Sequence, residues 1–400
     1  MKRIVNITVT CVLLLAMLSI AVCTLTAGGR SIAYAFFVTY KTYLEEDAGL
    51  FGNVSARITS LNNAVNNNLA GKSTFEKINA VFQMKLGKQM LSFGDTTMVR
   101  LKTGQLYDLM GDTDVSDDLK AIVDLKDGLE QQDVPMIFAY AHTELYEEDL
   151  LPTGAEDYNL KVAGDIVGGL RDAGVTVVDS RQVYRDHGLT MEHAVLRTDQ
   201  HWSIKMAFCT YQECAKALAG TGAIRLDLAA ADPDNFDIKV VKNVHMGDVG
   251  KRVGASVVEP DDIHLITPRF DTLITRRISR PTTEGGGFDE KTGSFSEACL
   301  FLDKLEGDGP VNRYDTYGLH RELTYFTNPS APEGRLLIVK DSFGTPVSTF
   351  FSLAAREVCS LDLRKGRLTV EQVVESFQPD AVLVVYCQEM MRGKNYAFVD

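Results

Sequence analysis

Four short apolar runs, Val134–Tyr140, Val175–Asp179, Leu336–Val339 and Ala381–Tyr386, constrain this chain more than any other feature. Each is too short for an ordinary helix and reads as a strand, and Val134–Tyr140 is of the kind expected for a strand buried in a layered α/β domain. Amphipathic stretches stand beside them. Asp117–Gln132 places Leu119, Ile122, Val123 and Leu129 at helical spacing, Tyr158–Ala173 ends at Gly174, and Pro346–Arg356 follows the third run. Strands and helices in alternation specify a three-layer α/β fold around a mostly parallel central sheet. Phe75–Met90 adds a further helix through Phe75, Ile78, Phe82 and Leu86. The pattern fails at 265–297, where Gly285-Gly-Gly287 and mixed Thr, Arg and Asp dominate, and this stretch reads as a peripheral insertion, a hairpin near the substrate face.

The N-terminus carries a second signal. Lys2 and Arg3 precede Ile4–Gly29, which holds no charged residue and is long enough to cross a bilayer, since about 20 helical residues suffice. Residues 1–29 therefore read as a signal-anchor transmembrane segment with its N-terminus in the cytoplasm, and the main domain as extracytoplasmic. Cleavage after Ala33-Tyr-Ala35 is the alternative. Residues 30–74, interrupted by Asn62-Asn63 and Asn66-Asn67-Asn68, read as a stalk, leaving 75–400 as the folded domain. The net charge of −13 is spread over short clusters, which excludes a groove built on a broad positive field and with it a nucleic-acid partner. Seven cysteines without a CxxC pair give no zinc ribbon or redox motif, and Cys359 and Cys387 read as core thiols.

Two segments can carry chemistry. Arg197-Thr-Asp-Gln-His-Trp-Ser203 precedes a helical pattern, and Leu337-Ile-Val-Lys-Asp-Ser-Phe-Gly344 places Ser342 just beyond an apolar run. In open α/β sheets the ligand crevice lies outside the carboxyl ends of the strands, where such a hydroxyl is exposed. A serine nucleophile needs a base, and His201 has Asp199 two residues away to hold its Nδ1 proton, provided both lie on the loop before the helix. Ser203 reads as an N-cap and Trp202 as a wall against the imidazole. A capping serine, a surface Asp–His hydrogen bond, or a metal site made from Asp199, His201 and His193 are the alternatives that spacing leaves open. Trp202, Tyr184, Tyr314 and Tyr325 are aromatic candidates for a platform on the active face.

These segments resemble the DHHW and alginate O-acetylation group of the SGNH-hydrolase superfamily. The likeness runs from about Phe75 to Val385, through Asp199-Gln-His-Trp202, Lys340-Asp-Ser-Phe-Gly344 and the approach Val134–Glu144 leading to Leu151-Pro152. It implies a Ser342–His201–Asp199 triad, no cofactor, and acyl transfer or ester hydrolysis in O-acetylation of an exported or cell-surface polysaccharide. The acetyl group would be delivered by a membrane acyltransferase. A catalytically silent, membrane-tethered polysaccharide-binding or assembly protein is the other role compatible with the fold. Gln200 stands where the group's name has a second histidine. Asp341 is expected to shape the turn around Ser342, and backbone amides around Ser342 and Phe343 to supply part of an oxyanion hole.

Overall fold

In the computed structural model, residues 2–37, 50–93, 96–142, 148–280, 286–306, 309, 311–388 and 398 are described. They form two compact units, Met1–Leu86 and Gly87–Asp400. The first holds helices α1 (Lys2–Phe37), α2 (Leu50–Asn67) and α3 (Lys72–Lys85). The helix expected over 75–90 is thus α3, which ends five residues before Met90 and lies outside the second unit. Residues 2–29 lie within α1, yet among the described residues no helix is long and apolar enough to cross a membrane.

The second unit is organised by an eight-stranded mixed sheet. Its strands are β1 (Met136–Ala141), β2 (Thr176–Asp179), β3 (Ile274–Ser279), β4 (Phe288–Gly293), β5 (Leu323–Thr327), β6 (Arg335–Lys340), β7 (Glu357–Leu361) and β8 (Ala381–Cys387), in spatial order β2-β1-β8-β6-β7-β5-β3-β4. From β2 to β7 all pairings are parallel, whereas β5, β3 and β4 extend the sheet in antiparallel fashion. Every residue of β1 and β8 is buried, which accounts for the unbroken apolar runs. The stretch 265–297 contributes β3 and β4 at one edge, its residues 281–285 lying outside the described residues, as do Thr143 and Glu144 of the strand approach.

Helices α4 (Ser116–Glu130), α5 (Asn159–Asp172), α6 (Ile204–Gly220), α7 (Gly344–Ala354) and α8 (Val370–Phe377) accompany the sheet. The Ser203 hydroxyl caps α6 by accepting from Met206 N. Two of these helices matter most for the site. Phe208 of α6 meets Phe350 of α7 edge-on at 4.9 Å, and Tyr211 meets Phe351 likewise at 4.9 Å. Their aromatic contact fixes the chain that enters each helix: the loop 197–203 before α6 and Ser342 before α7.

Candidate active site

Ser342 sits between β6 and α7, at the carboxyl end of a strand flanked by β8 and β7. The turn is tight. Gly344 lies so close to the sheet that a Cβ there would come 2.5 Å from Lys340 Cβ and 3.0 Å from Val385 Cβ. Asp341, fully buried, braces the turn on both sides: its Oδ1 accepts from Phe343 N at 2.8 Å and its Oδ2 from Cys387 N at 2.7 Å. Phe343 N–H is therefore committed to Asp341, which removes it from the expected oxyanion donors. The Ser342 N–H takes no partner among the described residues and stands at the N-terminal end of α7, where the helix dipole favours negative charge.

The loop 197–203 folds back on itself through the Val195–Trp202 bridge and a Ser203 N to Ala194 O bond of 2.8 Å. Asp261 clamps its start, accepting from Arg197 N at 2.7 Å, Thr198 N at 2.8 Å and the Thr198 hydroxyl at 2.5 Å. This irregular backbone lets Asp199 and His201 face the same way, as the spacing required. His201 Nδ1 lies 2.7 Å from Asp199 Oδ1, and His201 Nε2 lies 2.7 Å from Ser342 Oγ. Asp199 and His201 are buried, and Ser342 is half-buried.

Burial opposes charge on both titrating partners, but their mutual attraction prevails. Asp199 is held well below the usual carboxylate range, because the charge and hydrogen bond of His201 and the hydrogen bond of His245 outweigh desolvation. His201 is raised above the usual imidazole range, because Asp199 overcomes the burial that would lower it.

His245, from the ribbon strand Phe236–His245, was not singled out by the sequence; it places Nε2 3.0 Å from Asp199 Oδ2. Only one local signal marks its neighbourhood, Gly247, where a Cβ would fall 2.2 Å from Asp199 Oδ2. The walls of the imidazole also differ from expectation. Tyr314 stacks on His201 at 4.3 Å and Phe343 lies at 4.7 Å, while Trp202 is fully buried and meets Phe343 edge-on at 5.5 Å. Trp202 is thus a support behind Phe343, because its bridge to Val195 turns it away from the ring it follows in sequence. Trp202 and Tyr314 are too buried to form a carbohydrate platform; Tyr184 and Tyr325 are half-buried. His193 is engaged elsewhere, its Nδ1 3.0 Å from the Thr190 hydroxyl, and does not join Asp199 and His201.

Residues 103–277 match the family model of ALGX, the SGNH hydrolase-like domain of acetyltransferase AlgX. That span contains Asp199, His201 and His245 and ends before Ser342. No curated protein matches the chain. Among solved structures, Bacillus cereus PatB1 with a sulfonyl adduct aligns with a TM-score of 0.61 at 18% identity, covering 77% of this chain and 100% of that one. A DHHW family protein from Eubacterium siraeum aligns with a TM-score of 0.56 at 16% identity, covering 77% and 95%. The resemblance expected from the sequence is shown over the span that holds the Asp-x-His-Trp segment, and the α/β fold with its large mixed sheet is SGNH-hydrolase-like.

Proposed function

We propose that this chain is a membrane-anchored, extracytoplasmic serine enzyme that transfers an acetyl group onto an exported or cell-surface polysaccharide, with ester hydrolysis as the outcome when water replaces the sugar. One observation carries the reading: a single imidazole is hydrogen-bonded to Ser342 at 2.7 Å through one nitrogen and to a buried carboxylate at 2.7 Å through the other. A capping serine or a surface Asp–His pair needs no such alignment.

In the first half-reaction Ser342 Oγ attacks the acyl carbonyl as its proton passes to His201 Nε2. The tetrahedral oxyanion collapses, the leaving oxygen takes that proton, and the acyl group stays on Ser342 as an ester. A sugar hydroxyl then gives its proton to His201 and attacks the ester, and Ser342 is regenerated. Asp199 holds the imidazole in the Nδ1–H tautomer and offsets the imidazolium charge, without taking the proton. The Ser342 N–H is the available oxyanion donor on this turn. Delivery of the acetyl group by a membrane acyltransferase follows from the same reading, as does the absence of a cofactor.

The silent binding role is disfavoured by a half-buried nucleophile already in contact with its base. Anchoring by α1 is supported by its uncharged segment 4–29 and by Leu14, Leu15, Met17, Leu18, Val22 and Leu25, each more than half exposed. Apolar side chains in that number fit hydrocarbon better than water. The test is to incubate the full chain with an acetyl-ester reporter, with and without candidate glycans, following acetate, acetylated glycan and the mass of the Ser342 peptide. An acetyl adduct on Ser342 that discharges to glycan supports the reading; turnover without any Ser342 adduct, persisting in Ser342→Ala, overturns it.

A further inference from the structure

We propose that helix α3 lies in the headgroup layer of an anionic lipid surface, an inference that rests on α1 being the membrane anchor. Phe75, Ile78, Phe82 and Leu86 share one helix face by their spacing, which in a globular domain is the face that packs inward. Here the orientation is inverted. Those four side chains are 50%, 61%, 61% and 63% exposed, while the residues α3 buries are Ala80 and Gln83. A contiguous apolar face turned outward marks an interaction surface.

Its chemistry fits a lipid interface. The helix carries Lys72, Lys77 and Lys85 against the single acid Glu76, a balance of three cations to one anion. Lys72 and Lys85 border the apolar face and Lys77 lies across from it, an arrangement that suits a helix lying in the plane of the interface with its lysines reaching toward anionic headgroups. An exposed apolar groove filled by a protein partner would not call for that cationic excess.

The depth of α3 within the first unit agrees. Helix α2 runs back along α1: Ser60 Oγ donates to Ala35 O at 2.9 Å, and Ala70 N donates to Thr24 Oγ1 at 3.0 Å. Between these, Gly28 sits so close to Asn68 that a Cβ would come 2.4 Å from Asn68 Cβ. The chain therefore enters α3 at the level of Thr24–Gly28. Ile4 to Thr24 is about 30 Å of helix, roughly the hydrocarbon thickness of a bilayer. An α1 that spans the membrane from Ile4 thus leaves it where α3 begins, and the next charge on α1 is Arg30.

The experiment uses the single Trp202, fully buried, as an internal reference. Full-length Phe82→Trp and Lys77→Trp proteins, the latter labelling the other side of α3, are reconstituted into phosphatidylglycerol vesicles with brominated acyl chains. Flotation and the thermal melt confirm association and folding. The expected result is emission from Phe82→Trp quenched at least twofold more than from Lys77→Trp, with the difference reduced in phosphatidylcholine. Equal quenching of the two in protein that floats overturns the placement of α3 and leaves the anchor standing. A blue-shifted but unquenched Phe82→Trp does the same and puts protein on this face. Failure of the full chain to float overturns the anchor and this inference together.

Discussion

His245 gives its Nε2 proton to Asp199 Oδ2 across 3.0 Å, on the carboxylate whose other oxygen holds His201. The tautomer is settled by the opposite ring nitrogen, since His245 Nδ1 accepts the Arg313 backbone N–H at 2.9 Å and so bears no proton. Arg313 in turn binds its guanidinium to the carbonyl oxygens of Val244, Glu306 and Gly309, and Tyr314 beside it stacks on His201. One buried carboxylate is thus oriented from two sides by elements far apart in sequence.

Replacing His245 should therefore disable the base without touching it. His245→Leu leaves Asp199 Oδ2 buried and unpaired, at a cost of about 1–3 kcal/mol in stability. Turnover of an acetyl-ester reporter should fall roughly 10–100-fold, the range in which removal of an orienting partner acts. His245→Gln, which can restore an N–H donor, should recover part of both losses. Steady-state kinetics with thermal melts check this, and an unaltered kcat in His245→Leu would show that the contact is idle.

Ser342→Ala, His201→Ala and Asp199→Ala should each remove about 10³-fold or more of the turnover while the fold persists, and the losses should not add. In particular, Ser342→Ala combined with His201→Ala should differ little from Ser342→Ala alone, because the two residues act on one proton. Additive losses in that double variant would mean that they do not work as a unit.

The pH dependence follows from the direction of the His201 shift. The base must be neutral to accept the serine proton, and Asp199 holds its pKa above the usual ~6.5, so kcat/KM should decline as pH falls through a value higher than 6.5. Stability moves the other way. The fold favours the charged imidazole, so that contribution is complete below the unfolded pKa and fades as pH rises through the folded one. A pH–rate profile set against a pH series of thermal melts reads both; a rate limb centred below 6.5 contradicts the assigned environment.

The sheet and the centre of the site are legible in the sequence because they rest on local patterns. A strand buried on both faces has to be an unbroken apolar run, so β1, β6 and β8 announce themselves, and a serine just past such a run is placed by topology. Asp199 and His201 are adjacent enough for their pairing to be foreseen. His245 is not, since its role is defined by a carboxylate 46 positions earlier and no periodicity connects them. Trp202 was misassigned for a related reason: neighbours in an irregular loop do not share a direction. On α3 the period gave the helix, while which face meets the protein depends on the neighbours it packs against.

Gly247→Ala offers the sharpest test of the carboxylate's confinement. The backbone at Gly247 has an ordinary φ of −77°, so alanine is not strained there; the difficulty is space. Its Cβ would lie 2.2 Å from Asp199 Oδ2 and 2.3 Å from Asp199 Cβ, and Gly247 cannot easily withdraw, since its N–H is held by Thr198 Oγ1 at 3.0 Å. Asp199 must yield, and with it the bond to His245 or to His201. A displacement of ~1 Å in such a constellation costs on the order of 100-fold in rate, which is the loss expected. Gly111→Ala, where a Cβ meets nothing within 4 Å, serves as the neutral control. The cause is isolated by repeating Gly247→Ala in an Asp199→Ala background, where the vacated space should make the second substitution nearly silent. If Gly247→Ala lowers turnover as much without the Asp199 carboxylate as with it, the contact with Asp199 is not the reason.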